Sequence, residues 1–386
     1  MTARRLALFA PNLSGGGAER TLARLATHWS EQGREVTLVT LADASPDDFP
    51  LPTTVRRIGL GLTADSGGPL GAVRNNLRRI RALRETFRSI RPDVIVSFIE
   101  QANVLALLAA RPLDFPVVVS ERTDPARHRV GRLWDWLRRR TYPRCAALVV
   151  LTDEIAAAMR PVARGQPVVV IPNGVAPATV PRVPEDRRTE RTILAIGRLS
   201  PEKGFDRLIK AFRWIAAENG LFPPWRLVIL GDGPERSRLK GLARSCPPES
   251  VALPGRVDDP ADWLARADLF ALPSRYEGFP NALLEAMAAG IPAVAFDGSP
   301  AVRRIIRPGI DGLLAPEPED PKGDVAELIG TLQELAADDD RRRRMGDAAR
   351  EVVSRYSLAE FYARWDAVLE SAANGNFRQA FAPKRE

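Results

Sequence analysis

Residues 192–212 read TILAIGRLSPEKGFDRLIKAF and combine an apolar run that ends at Gly197, a short loop and an amphipathic stretch. This pattern predicts a buried strand, a loop that carries Arg198 and Lys203, and a helix. In sheets flanked by helices, a loop of this kind is where a pyrophosphate binds. Two cations five residues apart could neutralise a diphosphate, although the spacing alone also fits a solvated loop with incidental charges.

The same alternation of strands and helices extends in both directions from this segment. Apolar runs such as EVTLVT and DVIVSF precede it, and RLVILG and PAVAF follow it. Two successive series of this kind predict an α/β protein with two doubly wound, Rossmann-like domains. The predicted boundaries are an N-terminal domain at 1–176, a linker at 177–191, a C-terminal domain at 192–355, a helix at 356–372 that packs back on the first domain, and a flexible tail at 373–386.

The net positive charge arises entirely from the first half of the chain. The net charge is +8; residues 1–178 hold 25 Arg, no Lys and 16 Asp or Glu, which gives +9, so the remainder gives −1. A one-sided basic field indicates an anionic partner, either nucleic acid, anionic lipid or a phosphate-bearing substrate. Two cysteines provide no disulfide framework, and no apolar run reaches the roughly 18–20 residues of a spanning helix. We therefore expect a soluble or peripheral protein.

A second segment, RYEGFPNALLEAMAAGIPAVAF at residues 275–296, carries two carboxylates. Glu277 lies in a Gly/Pro loop after a strand, Asn281 is expected to be the N-cap of the next helix, and Glu285 then falls one turn into it. Carboxylates at this place suit the vicinal hydroxyls of a sugar and a ribose. The alternative is a glutamate that only complements the helix dipole.

Four blocks, in this order and spacing, resemble the family-4 glycosyltransferases. They are GRLSPEKG at 197–204, LGDGP at 230–234, PGR at 254–256, and the two glutamates with seven residues between them. The resemblance implies a GT-B fold, in which two Rossmann-like domains face a central cleft and the first binds the acceptor. It also implies a nucleotide-diphosphate-sugar donor held mainly by the second domain, retention of anomeric configuration, and no metal or other cofactor.

Carried over by position, the resemblance implies a donor site. Arg198 and Lys203 would hold the diphosphate, Glu285 the ribose and Glu277 the donor sugar, which makes Arg198, Lys203 and Glu277 the expected catalytic residues. The other donor-site residues would be Gly16, Gly17, Gly231, Gly233, Arg256, Gly278, Phe279, Pro280 and Asn281.

A glycine-rich loop follows the first strand. Three consecutive glycines, at residues 15–17, allow backbone N–H groups to approach a phosphate closely. The dinucleotide fingerprint requires a glycine where Arg20 stands, so a Rossmann oxidoreductase is disfavoured. In the family this loop touches the donor phosphates and the acceptor, and a plain tight turn is the alternative.

One departure from the family concerns a histidine that many relatives place near the end of the fourth N-terminal strand. This chain has Ser120, Glu121 and Arg122 there. His28 is expected to be a packed or surface helix residue, and His128 comes seven residues late, so we expect Glu121 or Arg122 to replace the missing histidine. The Ser-Glu-Arg variant resembles a subgroup that builds lipid-linked oligosaccharides and exopolysaccharide repeat units.

Two basic segments of the first domain are candidates for contacts with the acceptor and a membrane. In residues 71–93, an apolar repeat at helical spacing predicts a core face formed by Val73, Leu77, Ile80, Phe87 and Ile90. A row of arginines flanks it and could guide a lipid diphosphate, with a solvated face as the alternative: Arg74, Arg78, Arg81, Arg84 and Arg88. In residues 122–144, Trp134 and Trp136 lie among arginines, as in an interfacial anchor, unless the tryptophans pack in the core.

Together with the basic first half, the resemblance implies a bacterial hexosyltransferase of polysaccharide biosynthesis. It would move a hexose or N-acetylhexosamine from a UDP-sugar to a glycan on polyprenyl diphosphate, at the inner face of the cytoplasmic membrane. The rival interpretations are a transferase with a soluble acceptor, an epimerase, a silent partner subunit and a nucleic-acid-binding protein. An epimerase needs acid and base groups where histidines are scarce, and the last rival lacks any recognisable nucleic-acid motif.

Overall fold

The computed structural model describes residues 3–44, 49–63, 68–127, 130–183, 190–217, 224–317 and 325–377. The chain divides into two compact units, one of Met1–Asn173 with Ala359–Glu386 and one of Gly174–Leu358. Each contains one parallel sheet, whose central strands are buried along most of their length. Strands of this kind need helices on both faces, which the alternation along the chain supplies.

The first unit holds a seven-stranded sheet in the order β3-β2-β1-β4-β5-β6-β7, and every neighbouring pair is parallel. Its strands are β1 (Arg5–Ala10), β2 (Glu35–Thr40), β3 (Arg56–Gly59), β4 (Val94–Phe98), β5 (Val117–Ser120), β6 (Ala147–Val150) and β7 (Val168–Val170). Its helices up to this point are α1 (Gly17–Glu31), α2 (Pro69–Ile90), α3 (Glu100–Ala110), α4 (Arg132–Thr141) and α5 (Asp153–Ala163). The strand order reverses between β1 and β4, which is where doubly wound sheets open their ligand crevice.

The second unit holds a six-stranded parallel sheet in the order β10-β9-β8-β11-β12-β13, which reverses between β8 and β11. Its strands are β8 (Arg191–Ile196), β9 (Trp225–Leu230), β10 (Val251–Gly255), β11 (Leu269–Leu272), β12 (Ala293–Phe296) and β13 (Gly312–Ala315). Its helices are α6 (Phe205–Ala217), α7 (Arg236–Ala243), α8 (Ala261–Arg266), α9 (Asn281–Ala288), α10 (Pro300–Ile305), α11 (Ala326–Ala336), α12 (Asp339–Ala349) and α13 (Val352–Arg355). The two sheets give the predicted pair of Rossmann-like domains.

Helix α14 (Leu358–Asn374) packs into the core of the first unit. The fully buried ring of Trp365 lies 6.2 Å from that of Trp29 and 5.6 Å from that of Phe98, between centroids. Asp366 accepts a hydrogen bond from the Trp29 indole at 2.9 Å and forms an ion pair with Arg34 at 2.9 Å. The far end of the chain therefore completes the core that its beginning starts.

Helix α2 departs from the predicted core face. Leu83 and Phe87 are fully buried, and the Phe87 ring meets that of Phe9 edge to face, whereas Val73 and Leu77 are 55% and 49% exposed. The apolar repeat is therefore a core face only in the second half of the helix, where the sheet lies against it. In the first half, nothing in the described part of the chain buries it.

Other expectations fall partly on residues outside the described ranges. These are positions 184–189 of the predicted linker, His128, and residues 378–386 of the predicted tail. Within the described ranges, no helix combines the length and apolar character needed to cross a bilayer.

Candidate active site

Two loops lie at the carboxyl edge of the second sheet, where its strand order reverses. One follows β8 and runs from residue 197 to 204, and the other follows β11 and runs from 273 to 280. Because β8 and β11 are neighbours in a parallel sheet, their loops emerge side by side. This is the ligand position of doubly wound folds.

The two loops are joined by a cation and a carboxylate. Lys203 Nζ donates to Glu277 Oε1 at 2.7 Å, and Ser274 Oγ donates to the same oxygen at 2.7 Å. Ser299 Oγ donates to the backbone oxygen of Glu277 at 3.0 Å. The carboxylate is thus held in place through Oε1, while the lysine keeps two further N–H donors for an anion.

Glycines allow a third loop, the turn after β9, to pack against the loop after β8. Gly231 has a φ of 137°, and a Cβ there would lie 1.9 Å from the carbonyl oxygen of Gly197. At Gly233 a Cβ would lie 2.5 Å from the oxygen of Leu199, whose N–H donates to Asp232 O at 2.9 Å. Both glycines are needed for this packing, and their expected place near the base stays a prediction.

The remaining expected donor residues differ in exposure. Arg198 and Arg256 are exposed, and Gly278 and Glu285 are half-buried. Phe279 and Pro280 are buried, and the Phe279 ring packs edge to face on Tyr356 at 5.5 Å.

Asn281 is not the N-cap that the sequence predicted. Helix α9 begins at Asn281, and Pro280 occupies the cap position with φ −77° and ψ 98°. The helix therefore begins one residue earlier than predicted, because Pro280 takes the extended cap conformation and Asn281 is already helical. Glu285 still lies near the start of the helix, as expected.

In the first unit, the glycine-rich loop opens α1. Asn12 Oδ1 accepts hydrogen bonds from the backbone N and the hydroxyl of Ser14, and Gly15 adopts a φ of 68°. Gly16 is the N-cap of α1, and a Cβ there would lie 1.9 Å from a carboxylate oxygen of Glu19. Glu19 therefore folds back over the helix terminus that was expected to receive a phosphate, and it complements the dipole there.

Glu121 is enclosed rather than presented to a ligand. It is fully buried, its Oε1 accepts a hydrogen bond from the Tyr142 hydroxyl, and Asn103 Nδ2 donates to that hydroxyl at 3.1 Å. Burial, and then the nearby Glu100 carboxylate, raise the pKa of Glu121 to about 8 against the opposing effect of Arg138. Because Glu121 has no exposed surface in this structure, its burial argues against the expected direct contact with a sugar.

Arg122 is also buried, but part of its guanidinium has no partner among the described residues. Its guanidinium lies 4.8 Å above the Phe98 ring, and Nη2 donates to Asn173 Oδ1. Nε and Nη1 are buried and have no partner among the described residues. Burial lowers the pKa of Arg122 to about 9, with Glu19 acting in the opposite direction, so the group stays cationic at neutral pH.

His28 is a packing residue. Its ring stacks on Tyr362 with centroids 3.7 Å apart, and Nε2 lies 3.7 Å from Asp366, so it joins α1 to α14. Among the residues that the structure describes, no three His, Cys, Asp or Glu side chains come together as metal ligands.

The basic helices divide into exposed and engaged side chains. Arg74, Arg78 and Arg81 are exposed. Arg84 is half-buried and donates to the carbonyl oxygens of Leu108 and Ala109 at 3.3 Å. Those carbonyls end α3 and need donors, so Arg84 is removed from the expected arginine row.

The two tryptophans of α4 differ in exposure. Trp136 is half-exposed beneath the Arg140 guanidinium, 5.0 Å from its ring centroid, and Trp134 is more buried. The interfacial interpretation therefore applies to Trp136 rather than equally to both residues.

Sequence reasoning missed the residues that hold the donor-side loops. Ser274 and Ser299 fix Glu277, and Asp206 forms an ion pair with Arg275 at 3.0 Å. The sequence does contain a signal, because Asp206 lies two residues after Gly204 and Arg275 lies two residues before Glu277. Their pairing, however, depends on the fold and not on spacing.

Two doubly wound units, with a cation and carboxylate at a switch point, define a GT-B glycosyltransferase. The chain belongs to glycosyltransferase family 4: residues 15–179 match the model described as Glycosyltransferase Family 4, and residues 178–352 match Glycosyl transferases group 1. The two matches adjoin and together span residues 15–352.

Individual relatives agree with this assignment. The chain is 29% identical to the phosphatidyl-myo-inositol mannosyltransferase of Mycobacterium leprae, over 93% of this chain and 94% of the relative. It is 23% identical to a Campylobacter jejuni enzyme named GalNAc-alpha-(1->4)-GalNAc-alpha-(1->3)-diNAcBac-PP-undecaprenol alpha-1,4-N-acetyl-D-galactosaminyltransferase, over 96% and 99%. Among solved structures, Anabaena HepE in complex with UDP and glucose has a TM-score of 0.73 at 17% identity, over 95% and 99%.

Proposed function

We propose that this glycosyltransferase moves a hexose or N-acetylhexosamine from a UDP-sugar, with retention, to a glycan carried on polyprenyl diphosphate. The observation that carries the proposal is the Lys203–Glu277 contact at the switch point of the second sheet. When the donor binds, each group would exchange this contact for one with the donor. Lys203 would bind the diphosphate, and Glu277 would accept a hydrogen bond from a sugar hydroxyl. The groups proposed to bind the diphosphate and the sugar therefore lie side by side.

The proposed rate acceleration comes from the negative charge that develops on the diphosphate as its bond to the sugar breaks. When the bond from the anomeric carbon to the phosphate oxygen lengthens, negative charge grows on the diphosphate. Contacts with Lys203 and Arg198 then strengthen and lower the barrier. The acceptor hydroxyl attacks from the face that the diphosphate leaves and passes its proton to the departing phosphate oxygen, which accounts for retention. The two side chains supply the counter-charge, so we propose that no metal is required.

The relatives support the choice of substrates. The bound UDP of Anabaena HepE supports a uridine nucleotide, and the name of the Campylobacter enzyme supports a lipid-linked acceptor. Both similarities are below 25% identity, so they serve as guides to which compounds to test.

The acceptor would be met at the inner face of the cytoplasmic membrane. Helix α2 exposes Leu70, Val73 and Leu77, which lie within about one face of the helix, next to Arg74, Arg78 and Arg81. Helix α4 exposes Leu133 and Trp136 near further arginines. Apolar and cationic side chains on one helix fit an interface between acyl chains and anionic headgroups.

The test is a transfer assay with UDP- and GDP-sugars on extracted polyprenyl-diphosphate glycans and, in parallel, on the same glycans released from lipid. We expect transfer from a UDP-sugar, with the lipid-linked acceptor preferred and the product retaining the donor's anomeric configuration by NMR. Preference for the released glycan would favour a soluble acceptor. An inverted product would refute the retaining mechanism.

A further inference from the structure

The two loops of the candidate active site are also joined by residues that are not expected to touch the donor. Arg275 Nη1 and Nη2 donate to Asp206 Oδ1 and Oδ2, each at 3.0 Å. The same Nη1 donates to Pro201 O at 2.6 Å, and the backbone N of Arg275 donates to Glu202 O at 2.8 Å. One arginine therefore binds the loop after β11 to the loop after β8 and to the first turn of α6.

The backbones of the loops meet beside this ion pair. Gly204 has a φ of 66°, and a Cβ there would lie 2.1 Å from the carbonyl oxygen of Pro273. This contact leaves no space for a side chain, so the loops are as close as their backbones allow.

The ion pair is shielded from solvent. The Asp206 side chain is 11% exposed and that of Arg275 is 26% exposed. Burial acts to raise the pKa of Asp206, but the hydrogen bonds and charge of Arg275 outweigh it and hold the pKa below its ordinary value. A two-point arginine–carboxylate contact also fixes orientation, which a single bond cannot.

We infer that Asp206 and Arg275 are positioning residues that set Lys203 and Glu277 relative to each other for the donor. Lys203 lies three residues before Asp206, and Glu277 lies two residues after Arg275, so a shift of the pair moves both groups. The Lys203–Glu277 contact cannot hold the loops once both groups have turned to the donor. The Asp206–Arg275 pair keeps its partners throughout. The inference rests on the proposed function, because it assigns Lys203 to the diphosphate.

The experiment compares Arg275→Gln and Asp206→Asn with Arg238→Gln, a matched control. Arg238 also faces Asp206, at 3.7 Å, but it is 56% exposed. Affinities for UDP and UMP are measured by calorimetry. We expect both test variants to bind UDP about tenfold more weakly, while their affinity for UMP changes little. UMP lacks the second phosphate, which is the group expected to contact the loop that carries Lys203. The control should keep the wild-type ratio of UDP to UMP affinity.

Two further measurements separate positioning from general stability. Amide exchange should accelerate in residues 198–204 of both test variants, with no change in Arg238→Gln. Donor hydrolysis should fall about 10–100-fold in kcat/KM, and Arg275→Lys should be intermediate, since it keeps the charge without the two-point contact. The double variant should lose no more than either single one, because the two residues act as a unit.

The outcomes are distinguishable. If the wild type binds neither UDP nor GDP, the proposed function fails. In that case, amide exchange in residues 198–204 still decides whether the Asp206–Arg275 pair holds the loops. If the wild type binds UDP and the test variants keep its UDP-to-UMP ratio and its hydrolysis rate, the positioning inference is overturned. Should Arg275→Gln fail to fold, Asp206→Asn and Arg275→Lys give the same comparison.

Discussion

Each unit contains a glutamate in contact with a second ionisable side chain. The two contacts differ in whether solvent or a ligand can reach them. In the second unit, Lys203 and Glu277 meet at the end of two loops, where the lysine keeps a quarter of its surface exposed. In the first unit, Glu121 meets Tyr142 inside the core, and both side chains are fully buried. The first contact is accessible to a ligand, whereas the second is closed to solvent. Residue type and spacing do not distinguish these cases, but access does.

The largest expected effect breaks the accessible contact. Lys203→Ala should lower the transfer rate about 10²–10³-fold, because the departing diphosphate loses a counter-charge that is strongest in the transition state. The fold should survive, since the lysine is in a loop. Lys240→Ala, an exposed lysine on α7, serves as the control in the same assay. A folded Lys203→Ala enzyme with normal turnover would remove Lys203 from the mechanism.

The second prediction tests the closed contact through pH. The pKa of Glu121 is 4.5 in the unfolded chain and about 8 in the folded one. Below pH 4.5 both states hold the proton. Between 4.5 and 8 the folded state alone retains it, so stability falls by about 1.4 kcal/mol per pH unit as pH rises, and the loss levels off above 8.

Glu121→Gln resembles the protonated carboxyl and should remove this slope. The free energy of unfolding, measured with urea from pH 4 to 9, should exceed that of the wild type by an amount that grows with pH. Transfer activity should stay close to normal. Loss of activity with unchanged stability would instead place Glu121 in contact with the substrate.

The third prediction extends the comparison to the arginines of α2. Arg78 and Arg81 are exposed, whereas Arg84 is bonded to α3. Replacing Arg78 and Arg81 together by Gln should cost about 2 kcal/mol of binding to vesicles with anionic lipid at low salt, at about 1 kcal/mol for each arginine. The effect should fade as salt rises. Arg84→Gln removes one charge, so it is the control for the single variants Arg78→Gln and Arg81→Gln. A loss from Arg84→Gln as large as that from either of them would contradict the distinction between exposed and bonded arginines.

The smallest expected effect is that of a chelator. EDTA should leave transfer within about twofold of its starting rate, since Lys203 and Arg198 provide the counter-charge that a metal ion otherwise would. The measurement is transfer before and after chelation, followed by added Mg²⁺ or Mn²⁺. A chelated enzyme that only the metal revives would show that the cationic loop is insufficient.

Much of the fold was predictable, because buried strands and glycine loops leave local signals. The apolar runs predicted two sheets, and both are present. Gly231 and Gly233 were expected only as donor-site residues, and the structure shows that they form a turn with no space for side chains. The contact between Lys203 and Glu277 was not predictable, since 74 residues separate them. Periodicity identified an apolar face on α2 but could not tell what covers it, so Leu77 was assigned to the core. For Glu121, adjacency to a strand end could not distinguish a crevice from the interior.

The packing of α14 has a consequence for how the protein is made. The first unit lacks the Trp365 ring between Trp29 and Phe98 until the ribosome has also synthesised the whole of Gly174–Leu358. At about 5–20 residues per second, those 185 residues take roughly 10–40 s. The second unit, which is continuous in the chain, has no such delay. During translation the unit begun first is therefore finished last, and its unfinished core is the surface that chaperones would meet.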